Sequence, residues 1–104
     1  MRALIHVKLP LEPFNSAIRK GTAADTIKRI LDDTKPEAVY FTEYGGQRGA
    51  VLIVDVADPS KVPAIAEPWF LSFNAQVEFH VVMSPEELGR AGIDAMAKKW
   101  PAAG

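Results

Sequence analysis

The sequence predicts a single α+β domain: a four-stranded antiparallel sheet in strand order 4-1-3-2, built from a β-α-β-β-α-β run with one further helix at the C-terminus. Three observations predict it. Four short segments, Ala3–Leu9, Glu37–Tyr44, Ala50–Val56 and Gln76–Met83, carry the alternating or continuous apolar pattern of strands. Two segments with apolar residues at spacings of three and four separate the first strand from the second and the third from the fourth. Between the second and third strands stands only Gly45-Gly46-Gln47-Arg48-Gly49, too short for a crossover and rich in the residue that hairpin turns need. With 104 residues, the chain suffices for one sizeable core and not for two.

The first strand, Ala3–Leu9, sets Ala3, Ile5, Val7 and Leu9 on one face and Leu4, His6 and Lys8 on the other. Pro10 and Pro13 end it. From Pro13 to about Asp33, Phe14, Ala17, Ile18, Ala24, Ile27 and Leu31 follow a helical period. Gly21 disfavours a helix interior by about 1 kcal/mol against alanine, and Thr22 with Asp25 resembles a second cap. The segment is therefore expected to kink near Gly21 or to form two short helices. In the second strand Val39 and Phe41 oppose Tyr40, Thr42 and Tyr44. The glycine-rich link that follows lacks the Walker spacing and joins strand to strand, so it reads as a turn and not as a phosphate loop. Arg48 in that turn is expected in solvent, and Glu43 as an edge charge that discourages strand addition.

Ala50–Val56 is almost wholly apolar, as expected of a central strand buried on both faces, with Asp55 in phase with Val51 and Ile53. Asp58 or Ser60 caps the next helix. There Val62, Ile65, Ala66, Trp69 and Phe70 keep helical spacing, Pro68 is expected to break or restart the helix, and Trp69, Phe70 and Phe73 are expected to plug the core. In Gln76–Met83, the face Val77, Phe79, Val81 and Met83 opposes Gln76, Glu78, His80 and Val82. Ser84-Pro85-Glu86-Glu87 is a strong helix start: serine cap, proline first, glutamate third. The helix it opens is expected to reach Lys99, yet its stripe (Leu88, Ala91, Ala95) is thin, with Met96 and Trp100 to one side. So thin a stripe gains little from its own subunit; the helix either packs on a partner or frays.

Right-handed crossovers place both connecting helices on one face of the sheet, the split βαβ or ferredoxin-like plan. The sets Ile5/Val7/Leu9, Val39/Phe41, Leu52/Val54/Val56 and Val77/Phe79/Val81 then lie under the helices. The opposite face shows Leu4, His6, Lys8, Tyr40, Thr42, Tyr44, Val51, Ile53, Asp55, Glu78, His80 and Val82. That face holds too many aliphatic and tyrosine side chains for bare exposure. A second copy of the same sheet is its simplest cover, giving a twofold homodimer.

The segments Gly45–Ser60 (GGQRGAVLIVDVADPS) and Ala64–Leu88 (AIAEPWFLSFNAQVEFHVVMSPEEL) resemble the dimeric α/β-barrel superfamily, in which two ferredoxin-like subunits pack sheet to sheet. More narrowly the chain resembles a bacterial family within that group. The resemblance spans nearly the whole chain. It implies the fold and the dimer and no particular reaction, because the superfamily hosts cofactor-free monooxygenases, isomerases, haem proteins and stress-responsive proteins.

His6, Glu78 and His80 point to the same side of neighbouring strands. Glu78 and His80, two residues apart, lie ~6–7 Å apart along one face. Together the three side chains form a candidate acid/base group, with His80 as general base oriented by Glu78 or His6. Tyr40, Tyr44 and Asp55, with Lys8, are candidate contacts for a small organic ligand. The favoured reading of the same residues is hydrogen-bonded polar groups at a dimer seam, with Lys8 and Asp55 paired across strands. No tight ligand spacing supports a metal, and no cofactor is expected.

The chain has no cysteine, which excludes disulfides and thiol catalysis. Its 12 basic and 13 acidic residues form no basic run, so neither nucleic acid nor an anionic membrane is an expected partner. The N-terminus alternates apolar with polar residues where a signal peptide would be continuously apolar, and no apolar run approaches the ~20 residues of a membrane span. A cytoplasmic location is the expectation. Three functional readings follow. The chain is an enzyme or binder of a small organic molecule, a non-catalytic dimeric module, or a regulator acting through its terminal helix.

Overall fold

The computed structural model describes residues 1–103. Strands β1 (Arg2–Leu9), β2 (Ala38–Tyr44), β3 (Gln47–Asp55) and β4 (Gln76–Val81) form one antiparallel sheet. Its order is β2-β3-β1-β4, which read from the β4 edge runs 4-1-3-2. Helices α1 (Leu11–Lys20) and α2 (Ala23–Thr34) connect β1 to β2, and α3 (Val62–Phe73) connects β3 to β4. The arrangement is compatible with a ferredoxin-like plan. Two short helices, α4 (Pro85–Arg90) and α5 (Ile93–Lys99), follow the sheet.

One core lies between the helices and one sheet face. Ile5 and Val7 from β1 and Leu52 from β3 are fully buried there, with Trp69 and Phe73 from α3 above them. Phe73 packs on Phe14 of α1 at 4.9 Å between ring centroids. The Trp69 indole N–H has no hydrogen-bond partner among the described residues although its ring is fully buried. Burial of the rings outweighs that unmade bond, which costs roughly 1–3 kcal/mol.

Gly21 ends α1 in the left-handed conformation (φ 77°), so the long helical segment is two helices. Thr22 supplies no side-chain cap to α2; its hydroxyl instead donates to the Ala17 carbonyl. The hairpin turn is two residues long, Gly45 and Gly46, both at positive φ. Gln47, Arg48 and Gly49, expected in that turn, belong to β3. Arg48 is accordingly not in solvent: it is half-buried, lies over the Phe14 ring and donates to Asn15 Oδ1 at 2.7 Å. Glu43 accepts from the Gly46 N–H at 2.7 Å, which pins the turn.

Several expectations fail for identifiable reasons. Pro68 does not break α3, which runs unbroken through it. Ile65, Ala66, Trp69 and Phe73 are all buried from that helix, and their burial outweighs the local penalty of ~3 kcal/mol for an interior proline. Phe70 is not in the core, because the helical turn that buries Trp69 and Phe73 carries it outward. β4 ends at Val81, and Val81 and Met83 are exposed at 64% and 61%, since no helix reaches that end of the edge strand. Phe41, also assigned to the core, is 55% exposed at the other edge, across an open groove from α2. β3 is buried on one face only, with Val51 and Ile53 half-exposed on the other.

Candidate functional site

Among the described residues, no element covers the second face of the sheet, whose side chains are half-exposed or exposed. The strand registers order that face into rows. Tyr40, Val51, His6 and Glu78 form one row across all four strands. Ile53, Leu4 and His80 form the next. Gly49, Lys8 and Gln76 lie on the other side of the first row. The side chains at these positions share a face because each strand alternates with period two.

His6 stands directly opposite Glu78. Glu78 Oε2 and His80 Nε2 are 3.4 Å apart, and both side chains are more than half exposed. A carboxylate at that distance orients the imidazole and selects the ring nitrogen that carries the proton. As an exposed pair it contributes little to stability.

Tyr44 lies at the far end of β2, yet its ring meets the His6 ring edge-on, 4.4 Å between centroids and 84° between planes. Lys8 Nζ sits 5.5 Å from the same tyrosine ring. Gly49 makes this reach possible. A β-carbon there would stand 3.2 Å from the Val7 carbonyl oxygen and 3.6 Å from Tyr44 Cβ. With no side chain at Gly49, the tyrosine leans across β3 to β1. Sequence reasoning placed Tyr44 and His6 on one face and missed their contact. The signal was Gly49 itself, in phase with Val51 on an otherwise side-chain-rich strand.

The sheet thus brings together His6, Glu78, His80 and Tyr44, with Tyr40 in the same row roughly two strand spacings, ~10 Å, from His6. Asp55 does not join them. It lies opposite Arg2 at the other end of the sheet and pairs with the N-terminal amine at 3.3 Å. The expected Lys8–Asp55 pair is absent for the same reason: antiparallel register sets Lys8 against Gly49, three side-chain rows from Asp55. Arg2 is held instead by Glu37, whose carboxylate accepts from Nε at 3.0 Å and raises the guanidinium pKa above its ordinary value.

Two imidazoles, a carboxylate and a phenol offer proton donors and acceptors over a floor of Leu4, Val51 and Ile53. That set offers the group types used in general acid–base chemistry. Among the described residues, no three His, Asp or Glu side chains gather closely enough to hold a metal ion. No helix among them is long and apolar enough to cross a membrane. Two grooves of the chain lie elsewhere. The first, about 510 Å³, runs between α2 and α3 beside Arg29, Asp33 and Pro68. The second, about 460 Å³, lies between α2 and Phe41 of β2. No protein-family model matches the chain, and no curated protein is similar to it.

Proposed function

We propose that the protein works as a homodimer of the dimeric α/β-barrel kind, in which the uncovered faces of two sheets enclose a site for a small organic molecule. The observation that carries this reading is the row Tyr40–Val51–His6–Glu78, with His80 beside it, on a sheet face that none of the described residues covers. Ligand sites are lined in this way, with a few convergent polar groups among aliphatic and aromatic side chains. A second sheet about 10 Å away would remove His80 and Glu78 from bulk water and leave room between the two clusters. In that setting His80 acts as the general base, Glu78 orients it, and His6 and Tyr44 hold the ligand's polar group. The apolar floor favours a modest aromatic or aliphatic compound.

The test is titration of the protein with a panel of small aromatic acids and phenols, followed through the imidazole resonances of His6 and His80. A binder is expected to shift both resonances and to lose affinity on His80→Ala. A dimer whose paired faces leave no cavity beside His80 contradicts the reading. A second reading, a dimer without catalysis, is favoured by one observation: four surface grooves of the single chain all lie away from His6, Glu78 and His80. Under it, His6→Ala and His80→Ala change dimer affinity and bind no small molecule differently.

A further inference from the structure

The C-terminal segment is built as an arm. Its first helix carries a complete capping box: Ser84 Oγ accepts from the Glu87 N–H, and the Glu87 carboxylate accepts from the Ser84 N–H. Gly92, in the left-handed conformation, ends that helix and starts α5. Ile93 and Met96 of α5 and its C-cap Trp100 fall at spacings of three and four, and all three are exposed. Among the described residues, neither α4 nor α5 packs extensively on another element, and neither has a buried residue. The molecule is 60 Å long, with a radius of gyration of 17.9 Å where a compact chain of this length has about 13 Å.

The exposed area shows the same imbalance. The chain exposes 7259 Å²; a compact monomer of 11.3 kDa exposes about 5,700 Å². The excess of about 1,500 Å² per chain is larger than the ~800 Å² each partner buries in a standard interface. A second copy is the occupant this excess fits.

A matching surface lies at the far edge of the sheet. Phe41 of β2, with Ala24, Ile27 and Leu31 of α2, lines the apolar groove of about 460 Å³, and Lys28 and Asp32 rim it. The arm leaves from β4, and β2 and β4 are opposite edges. Within one chain they are separated by three strand spacings, ~14 Å. Stacking two sheets about a twofold axis along the strands sets the β4 edge of one copy over the β2 edge of the other.

We infer that the arm of each subunit crosses to its partner and lays Ile93, Met96 and Trp100 in the partner's α2–β2 groove, strapping the dimer from both sides. The inference rests on the homodimer proposed above. Because the chain has no cysteine, single cysteines can be placed without background. Full-length Ala24→Cys and Ala97→Cys chains, made distinguishable in mass, are mixed and treated with a short bis-maleimide. The expected product links one chain of each kind, and the double variant is expected to give two-chain products. Met96→Glu in the full chain is expected to weaken the dimer at least tenfold.

Sedimentation separates the possible failures. A wild-type monomer overturns both the dimer and the strap. A wild-type dimer whose cross-links form only within one chain, or do not form, overturns the strap alone and leaves the groove to another occupant. A dimer whose affinity Met96→Glu leaves unchanged also overturns the strap.

Discussion

On its helical face the sheet buries Ile5, Val7 and Leu52 completely, while Leu4, Val51 and Ile53, their neighbours along the same strands, stay half-exposed on the other. Composition does not separate the two faces, since aliphatic side chains dominate the middle of both. Cover does. The helices that the chain supplies go to one side, as right-handed crossovers require. The second face is left with an apolar floor, two histidines and a glutamate. Alternation in a strand therefore reports that two faces exist; it does not report that one chain covers both.

The largest expected effect sharpens the covered face. Trp69→Ala is expected to cost about 3–5 kcal/mol in denaturant unfolding. Trp69→Phe is expected to cost clearly less, because it removes the indole N–H that has no partner. Equal costs for the two would mean that this donor is satisfied in solution. Next comes the direct comparison of faces. Leu52→Ala is expected to cost about 2–5 kcal/mol. Its neighbour Val51→Ala is expected to cost about 1 kcal/mol or less where the chains are dilute enough to be separate. Similar losses at both positions would break the distinction between the faces. Gly49→Val is expected to cost about 1–3 kcal/mol by overpacking against the Val7 carbonyl. It should also push Tyr44 off His6, read as loss of the ring-current shift on the His6 protons.

The smallest effect concerns the arm. The Ser84 N–H, donating to the Glu87 carboxylate, holds that group below its usual value of 4.5. A carboxylate depressed in the folded state contributes stability above its unfolded pKa and loses it as pH falls through the folded one. Mild acidification below the usual value is therefore expected to fray α4 before the sheet responds. Amide exchange at Glu87 and Leu88 would show it, and exchange there that stays unchanged down to the pH where the sheet unfolds would contradict it.

Much of this was legible in the residues. Period-two alternation or, for β3, a continuous apolar run located all four strands, and Gly21 located the break between α1 and α2. Ser84 and Glu87 located the start of α4. What failed depended on tertiary cover. Phe41 and Val81 are apolar but sit on edge strands, Phe41 across an open groove from α2 and Val81 at the uncovered end of β4. Pro68 carries a breaker signal, overruled by four buried neighbours on its helix. Within the candidate site, His6 and Glu78 were legible as neighbours once strands 1 and 4 were paired. Their register, and with it the exclusion of Asp55, was not. At the C-terminus, Met96 and Trp100 were legible as lying to one side of the Leu88 stripe, while the break at Gly92 that separates α4 from α5 was not.

The central claim is that the second sheet face is covered by another copy of the chain. Sedimentation equilibrium of the wild-type protein tests it most directly. The account predicts a mass of about 22.6 kDa, twice the 11.3 kDa of the chain, at micromolar concentration. A mass of 11.3 kDa maintained to about 100 μM, a range in which stable protein interfaces are formed, would contradict it.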